Sequence, residues 1–179
     1  MNDKPRELTS RGARGGIVLG CWFCATFALM AGTGQLPLLA IPAIIMMVSV
    51  PVVAYRMLLK SYRSLYGMTT MSVLWLEGIL SFMGGSLFLA VGAFLFLKYI
   101  DPEFIVRQTS LMADYYAASE ETRSIGETFR RMIENHMLPR PIEAAFSLAW
   151  LSAFAGALTS LVLAAVIKRF GLRQSYDNR

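Results

Sequence analysis

The sequence has one histidine, His136, and two cysteines, Cys21 and Cys24, and this shortage removes several kinds of chemistry. A zinc centre draws about four ligands, mostly His and Cys, and these three side chains are too few and too far apart along the chain. Cys21 and Cys24 do form "CWFC", and residues i and i+3 share a helix face, as a redox pair requires. A membrane redox couple also needs a second thiol pair to exchange with, and the sequence has no other cysteine. They are read as two small, polarizable packing residues. No spacing among Asp101, Glu103, Asp114 and His136 matches a nucleophile triad, a paired-carboxylate site or a metal site. The expectation is therefore no catalytic residue, no metal and no cofactor.

Charge is also scarce. Only 16% of the residues are charged, against 55% hydrophobic, whereas soluble domains carry about 25% charged residues. Residues 15–55, 78–97 and 144–167 contain no charged side chain at all. Roughly 20 apolar residues cross about 30 Å of hydrocarbon, so the first run fits two spans and the others one each. "AGTGQLP" (Ala31–Pro37) divides the first run with glycines, a glutamine and a proline, the composition of a turn. The reading is an all-α polytopic membrane protein. Its four transmembrane helices cover about 15–31, 36–55, 70–97 and 144–167, within one integral domain over 15–170. Tails occupy 1–14 and 171–179. Residues 1–14 resemble the basic start of a signal peptide, but a second apolar segment follows at once, so an uncleaved anchor is expected.

The basic residues orient the chain. Lys4, Arg6, Arg11 and Arg14, then Arg56, Lys60 and Arg63, then Lys168, Arg169, Arg173 and Arg179 fall on one side of such a bundle. The segment 98–143 has more acidic than basic residues. Lys and Arg are retained on the cytoplasmic side, so both termini are expected in the cytoplasm of a bacterial inner membrane, with 98–143 outside. The net charge of +5 is then a topology signal on the face that meets anionic lipid, and nucleic acid is not an expected partner.

Small residues recur at helical spacing. Gly12, Gly16, Gly20, Cys24, Ala28 and Gly32 lie on every fourth position, as do Ser152, Gly156, Ser160 and Ala164, and Gly78, Gly85 and Gly92 on every seventh. Such stripes let backbones approach closely in lipid. Packing within one bundle is the expected use, and a homo-oligomer face is the alternative. Glu77 is the ionisable residue nearest to the interior of a span, which makes it the candidate ion or proton site. Beside Trp75 it is expected at the cytoplasmic boundary. Pro42 and Pro51 are expected to kink the second helix.

The segment "FLKYIDPEF" (Phe96–Phe104) closes the third span. Lys98 and Tyr99 suit the headgroup region, and Asp101 with Pro102 and Glu103 forms a helix start, Asp101 being the expected N-cap. Beyond it, Phe104, Leu111, Met112 and Tyr115 follow a helical period, and after "SEETRS" so do Ile125, Phe129, Met132 and Ile133. Two amphipathic helices of this length do not hold alone in water. These eight residues are the candidate interaction surface, against the interface of the lipid bilayer, the ends of the bundle, or a partner such as an envelope protein. "LPRPIE" (Leu138–Glu143) then leads back into the membrane.

The order of these parts resembles a bacterial four-helix integral membrane family catalogued as domain of unknown function 4199. Two close helices and a basic loop precede a long third helix, followed by a "KYIDPEF"-like exit (Lys98–Phe104). An amphipathic segment, a Pro-containing re-entry and a last helix ending "VIKRF" (Val166–Phe170) complete it. The resemblance spans about residues 15–170 and implies no activity and no functional residue. The resulting expectation is a non-enzymatic scaffold or accessory subunit of an envelope complex. The alternative is a small oligomeric transporter or channel using Glu77 and the Pro-kinked second helix.

Overall fold

A computed structural model describes residues 3–34, 36–65 and 69–170, with side chains from Leu8 onward. The expected tail 171–179 with Arg173 and Arg179, the side chains of Lys4 and Arg6, and Gln35 of the first turn lie outside the described residues. Among the described residues there are helices and turns and no strand. The helices are α1 (Asp3–Gly32), α2 (Ala40–Ser64), α3 (Met71–Leu95), α4 (Phe104–Ala117), α5 (Arg123–Glu134) and α6 (Pro141–Phe170). Four stretches are long and apolar enough to cross a membrane: Leu8–Gly32, Pro37–Ser64, Met71–Ile100 and Pro141–Phe170. Along α2, Ile41, Ile44, Ile45, Met47, Val48 and Val52 are all more than half exposed. A belt this apolar is a liability in water and a requirement in lipid. The fold is all-α, and its helices are those of a membrane protein.

The elements differ in detail from the sequence expectation. Pro42 falls in the first turn of α2, where its missing N–H has no helical partner to lose. Pro51 alone lies in the helix interior. One turn before it, the Met46 carbonyl accepts from the Trp22 indole of α1 at 3.0 Å and from Ser49 Oγ at 2.6 Å. The third span ends in a π-helical turn, Phe96–Ile100, closed by Asp101 N donating to the Phe96 carbonyl at 2.9 Å. Asp101 is not an N-cap. Glu103 occupies that position without a side-chain bond, and the Asp101 carboxylate takes the Arg107 guanidinium instead. α6 does start at a proline: Pro141 is its first residue, and the Glu143 carboxylate reaches back to Arg140 N at 3.0 Å, half of a capping box.

The described residues divide into two compact units, one of those up to residue 90 together with 147–170, the other 91–146. In the first, Leu58 and Tyr62 of α2, Leu74 of α3 and Ala164 and Ile167 of α6 form one buried cluster. Leu19 of α1, Ala54 and Phe82 form another. In the second unit, α4 and α5 pack on each other as a hairpin.

Candidate functional site

Two places carry the candidate residues. In the first unit, Glu77 lies six residues into α3, about 9 Å along its axis from Met71 at 1.5 Å per residue. Its side chain is only 3% exposed, whereas neighbouring Trp75 is 38% exposed and donates to the Ala157 carbonyl at 3.1 Å. A buried carboxylate needs partners. Ser61 of α2 donates to Glu77 Oε2 at 2.8 Å, and the Arg11 guanidinium of α1 lies within electrostatic range. Ser81, fully buried one turn on, donates to the Glu77 carbonyl at 2.8 Å. Three helices thus meet at one acid. Neither Ser61 nor Arg11 is marked by sequence spacing, because both come from other helices.

The small residues of this unit lie at helix crossings within it. Gly16 meets Gly84 backbone to backbone: a Cβ on Gly16 would lie 3.0 Å from the Gly84 Cα. Gly20 faces Phe88, and Gly85 faces Leu19 and Phe23. Gly78 is pressed on Ser160, and Gly156 on the Phe82 ring. Ser152 is half-buried and bonds within its own helix, to the Ala149 carbonyl at 3.0 Å. Gly92, in the second unit, is half-buried. Cys24 directs its thiol to the Phe88 carbonyl at 3.5 Å, while Cys21 is exposed; both are free thiols.

In the second unit, the eight candidate surface residues separate into two sets. Leu111, Met112, Tyr115 and Ile125 are 55%, 53%, 78% and 45% exposed. Phe104, Phe129, Met132 and Ile133 are half-buried. Phe104 packs edge-on to Phe96, with ring centroids 5.5 Å apart, and Phe129 stacks on Tyr116 at 5.9 Å. The hairpin closes on small residues instead. A Cβ on Gly126 would come within 2.7 Å of the Ala113 carbonyl and 2.8 Å of Ala117 N. Ala113 and Ala117 are one helical turn apart on the side of α4 opposite Leu111 and Tyr115. An Asp114–Arg130 pair at 2.9 Å ties the two helices at the exposed surface. Sequence reasoning followed the large apolar residues and passed over this trio. Its signal was the Ala-xxx-Ala spacing, the same pattern sought in the spans.

Among the described residues no group of three or more His, Cys, Asp or Glu side chains is placed to hold a metal. His136 is exposed at the end of α5 with φ 53°, a left-handed conformation. There Met137 N donates to the Met132 carbonyl at 2.9 Å and His136 N to Ile133 at 3.1 Å, the bonds of a helix C-cap. Its position is explained by the turn.

Residues 12–169 match a family model described as protein of unknown function (DUF4199). The chain belongs to this family. The match takes in Glu77, Ser61 and the α4–α5 hairpin and begins one residue after Arg11. DUF4199 carries no assigned activity, so membership adds a lineage and leaves chemistry to be argued from these residues. No curated protein and no solved structure matches the chain.

Proposed function

We propose that this member of DUF4199 is a non-enzymatic scaffold or accessory subunit of an envelope complex. It would sit in the bacterial cytoplasmic membrane with both termini inside and present the α4–α5 hairpin outside. The observation that supports this reading is the division of labour in the hairpin. Its own closure uses Ala113, Ala117 and Gly126, and it leaves Leu111, Met112, Tyr115 and Ile125 exposed. Large apolar and aromatic side chains left unused by the fold are the side chains that anchor interfaces. The test is purification of the full chain from membranes in mild detergent, with quantification of whatever accompanies it stoichiometrically. Replacing Leu111 and Tyr115 together by Glu removes two anchors and should lower the partner's yield about tenfold or more. An unchanged yield removes this surface from the interaction. A reporter fused at Ala118 tests the sidedness separately.

The buried carboxylate favours a second reading, a small oligomeric transporter or channel. Glu77, buried among three helices, has the placement of a coupling residue in a membrane pathway, and α2, which supplies its Ser61 partner, carries Pro51 in its interior. Glu77→Gln keeps the Ser61 hydrogen bond and removes the charge. If the protein carries ions, a pH-dependent flux in proteoliposomes should disappear in this variant. A flux that persists takes Glu77 out of the mechanism.

A further inference from the structure

We propose that the chain pairs with a second copy of itself in the bilayer, the Trp150 indole of α6 donating to the Met47 carbonyl of α2 in the other copy. The sequence has three tryptophans. Two of them donate to a backbone carbonyl of another helix, Trp22 of α1 to Met46 at 3.0 Å and Trp75 of α3 to Ala157 at 3.1 Å. Trp150 is 69% exposed and has no hydrogen bond among the described residues. It lies nine residues after the start of the span Pro141–Phe170, about 13 Å along the helix and below the headgroup level where exposed indoles find partners. In hydrocarbon no water takes the place of that partner. α2 supplies a matching acceptor. Pro51 has no N–H, so the Met47 carbonyl four residues earlier lacks its helical donor. Met47 is 58% exposed, and Pro51, one turn on, is exposed too.

Depth identifies the occupant. Along α3, Glu77 takes its bond from Ser61 of α2, and Phe82 shares a buried cluster with Ala54 of α2. On α6, Ser160 lies against Gly78 and Gly156 against Phe82. Both α2 and α6 therefore run against α3 and alongside each other, with Ala54 and Gly156 at one level. Met47 is seven residues before Ala54 and Trp150 six before Gly156, which puts donor and acceptor within about 2 Å of the same depth. Two copies related by an axis along the membrane normal keep every residue at its own depth. A donor and an acceptor from different positions meet across such a pair only if their levels agree, a condition no foreign helix imposes. α2 and α6 are neighbours, sharing the cluster of Leu58, Tyr62, Ala164 and Ile167, so a two-fold contact makes the bond twice. Val48 and Val52 of α2 and Leu151 and Phe154 of α6, all more than half exposed, supply apolar surface around it. The contact uses neither the hairpin face nor Glu77, so it stands apart from both readings of function.

The test measures self-association of the full, dye-labelled chain by energy transfer in phosphatidylcholine liposomes over a dilution series. Wild type should dimerise. Trp150→Phe keeps an aromatic ring and removes the donor, and Pro51→Ala gives the Met47 carbonyl its helical donor back. Each should weaken the dimer about tenfold, for two lost bonds. The double variant should be no weaker than either single one, because both changes remove the same bond. Leu87→Ala, an exposed apolar change on α3, should leave the dimer intact. In a Cys21→Ser/Cys24→Ser background, copies carrying Val48→Cys should cross-link to copies carrying Leu151→Cys. Melting temperatures check folding, and Pro51→Ala, which adds a helical bond, should not lower them. The proposal is overturned if wild type stays monomeric at every dilution, since Trp150 then faces lipid. It is also overturned if either single variant dimerises as tightly as wild type, if their losses add, or if the two cysteine copies fail to cross-link.

Discussion

Gly126 of α5 rests on the main chain of α4 at Ala113, with room for a hydrogen and not for a methyl group. The obstruction is backbone, which cannot swing aside as a side chain can. Gly126→Ala should therefore force the helices apart at a cost of about 1–3 kcal/mol, despite the better helix propensity of alanine. Hydrogen exchange checks this: amides of α4 and α5 should lose protection while those of α1 and α2 keep theirs.

Phe129 and Tyr115 separate folding from recognition. Phe129 is half-buried and stacked on Tyr116, whereas Tyr115 is 78% exposed. Phe129→Ala should destabilise the hairpin by about 2 kcal/mol, less than the 3–5 kcal/mol of a fully buried phenylalanine. Tyr115→Ala should leave it within about 0.5 kcal/mol of wild type, as exposed substitutions do. Hydrogen exchange of α5 amides reads both, and equal losses in the two variants would contradict this division.

The crossing of α3 and α6 rests on Gly78 against Ser160. Gly78→Ala places a methyl group where the Ser160 side chain already is, so thermal unfolding in detergent should drop by about 2–4 °C for each kcal/mol of strain. Adding Ser160→Gly relieves the same contact and should recover part of the loss. This non-additivity is the signature of two residues in direct contact, and strict additivity of the two changes would contradict it.

His136 holds φ 53° at the end of α5. A residue with a Cβ pays roughly 1–2 kcal/mol for that conformation and glycine does not. His136→Gly should stabilise the hairpin by about 1 kcal/mol, seen as slower exchange at Met137 and in the last turn of α5.

How much of this was legible in the sequence depends on the range of the physics involved. The four spans are legible because the cost of charge in hydrocarbon acts residue by residue, so uncharged runs such as 78–97 mark them directly. Helix ends are less so. Asp101 has the sequence of an N-cap, but the chain leaves α3 through a π-helical turn, and its carboxylate is taken by Arg107. Pro42 reads as a kink in a helix starting at Leu36 and as a first-turn residue in one starting at Ala40. The partners of Glu77 were not legible, since Ser61 and Arg11 reach it only through the packing of α1 and α2 on α3. The hairpin contact was missed for a different reason. Periodicity counts large apolar side chains, while close helix packing selects the small ones, Ala113, Ala117 and Gly126.

The central claim is that the exposed face of α4 docks on another envelope protein, and one comparison tests it most directly. Wild type and Leu111→Glu/Tyr115→Glu are purified side by side in mild detergent, with hydrogen exchange confirming an intact hairpin in both. The account predicts a stoichiometric partner with the first and at least a tenfold loss of it with the second. A chain that purifies alone in both cases, or a partner retained equally by both, contradicts it.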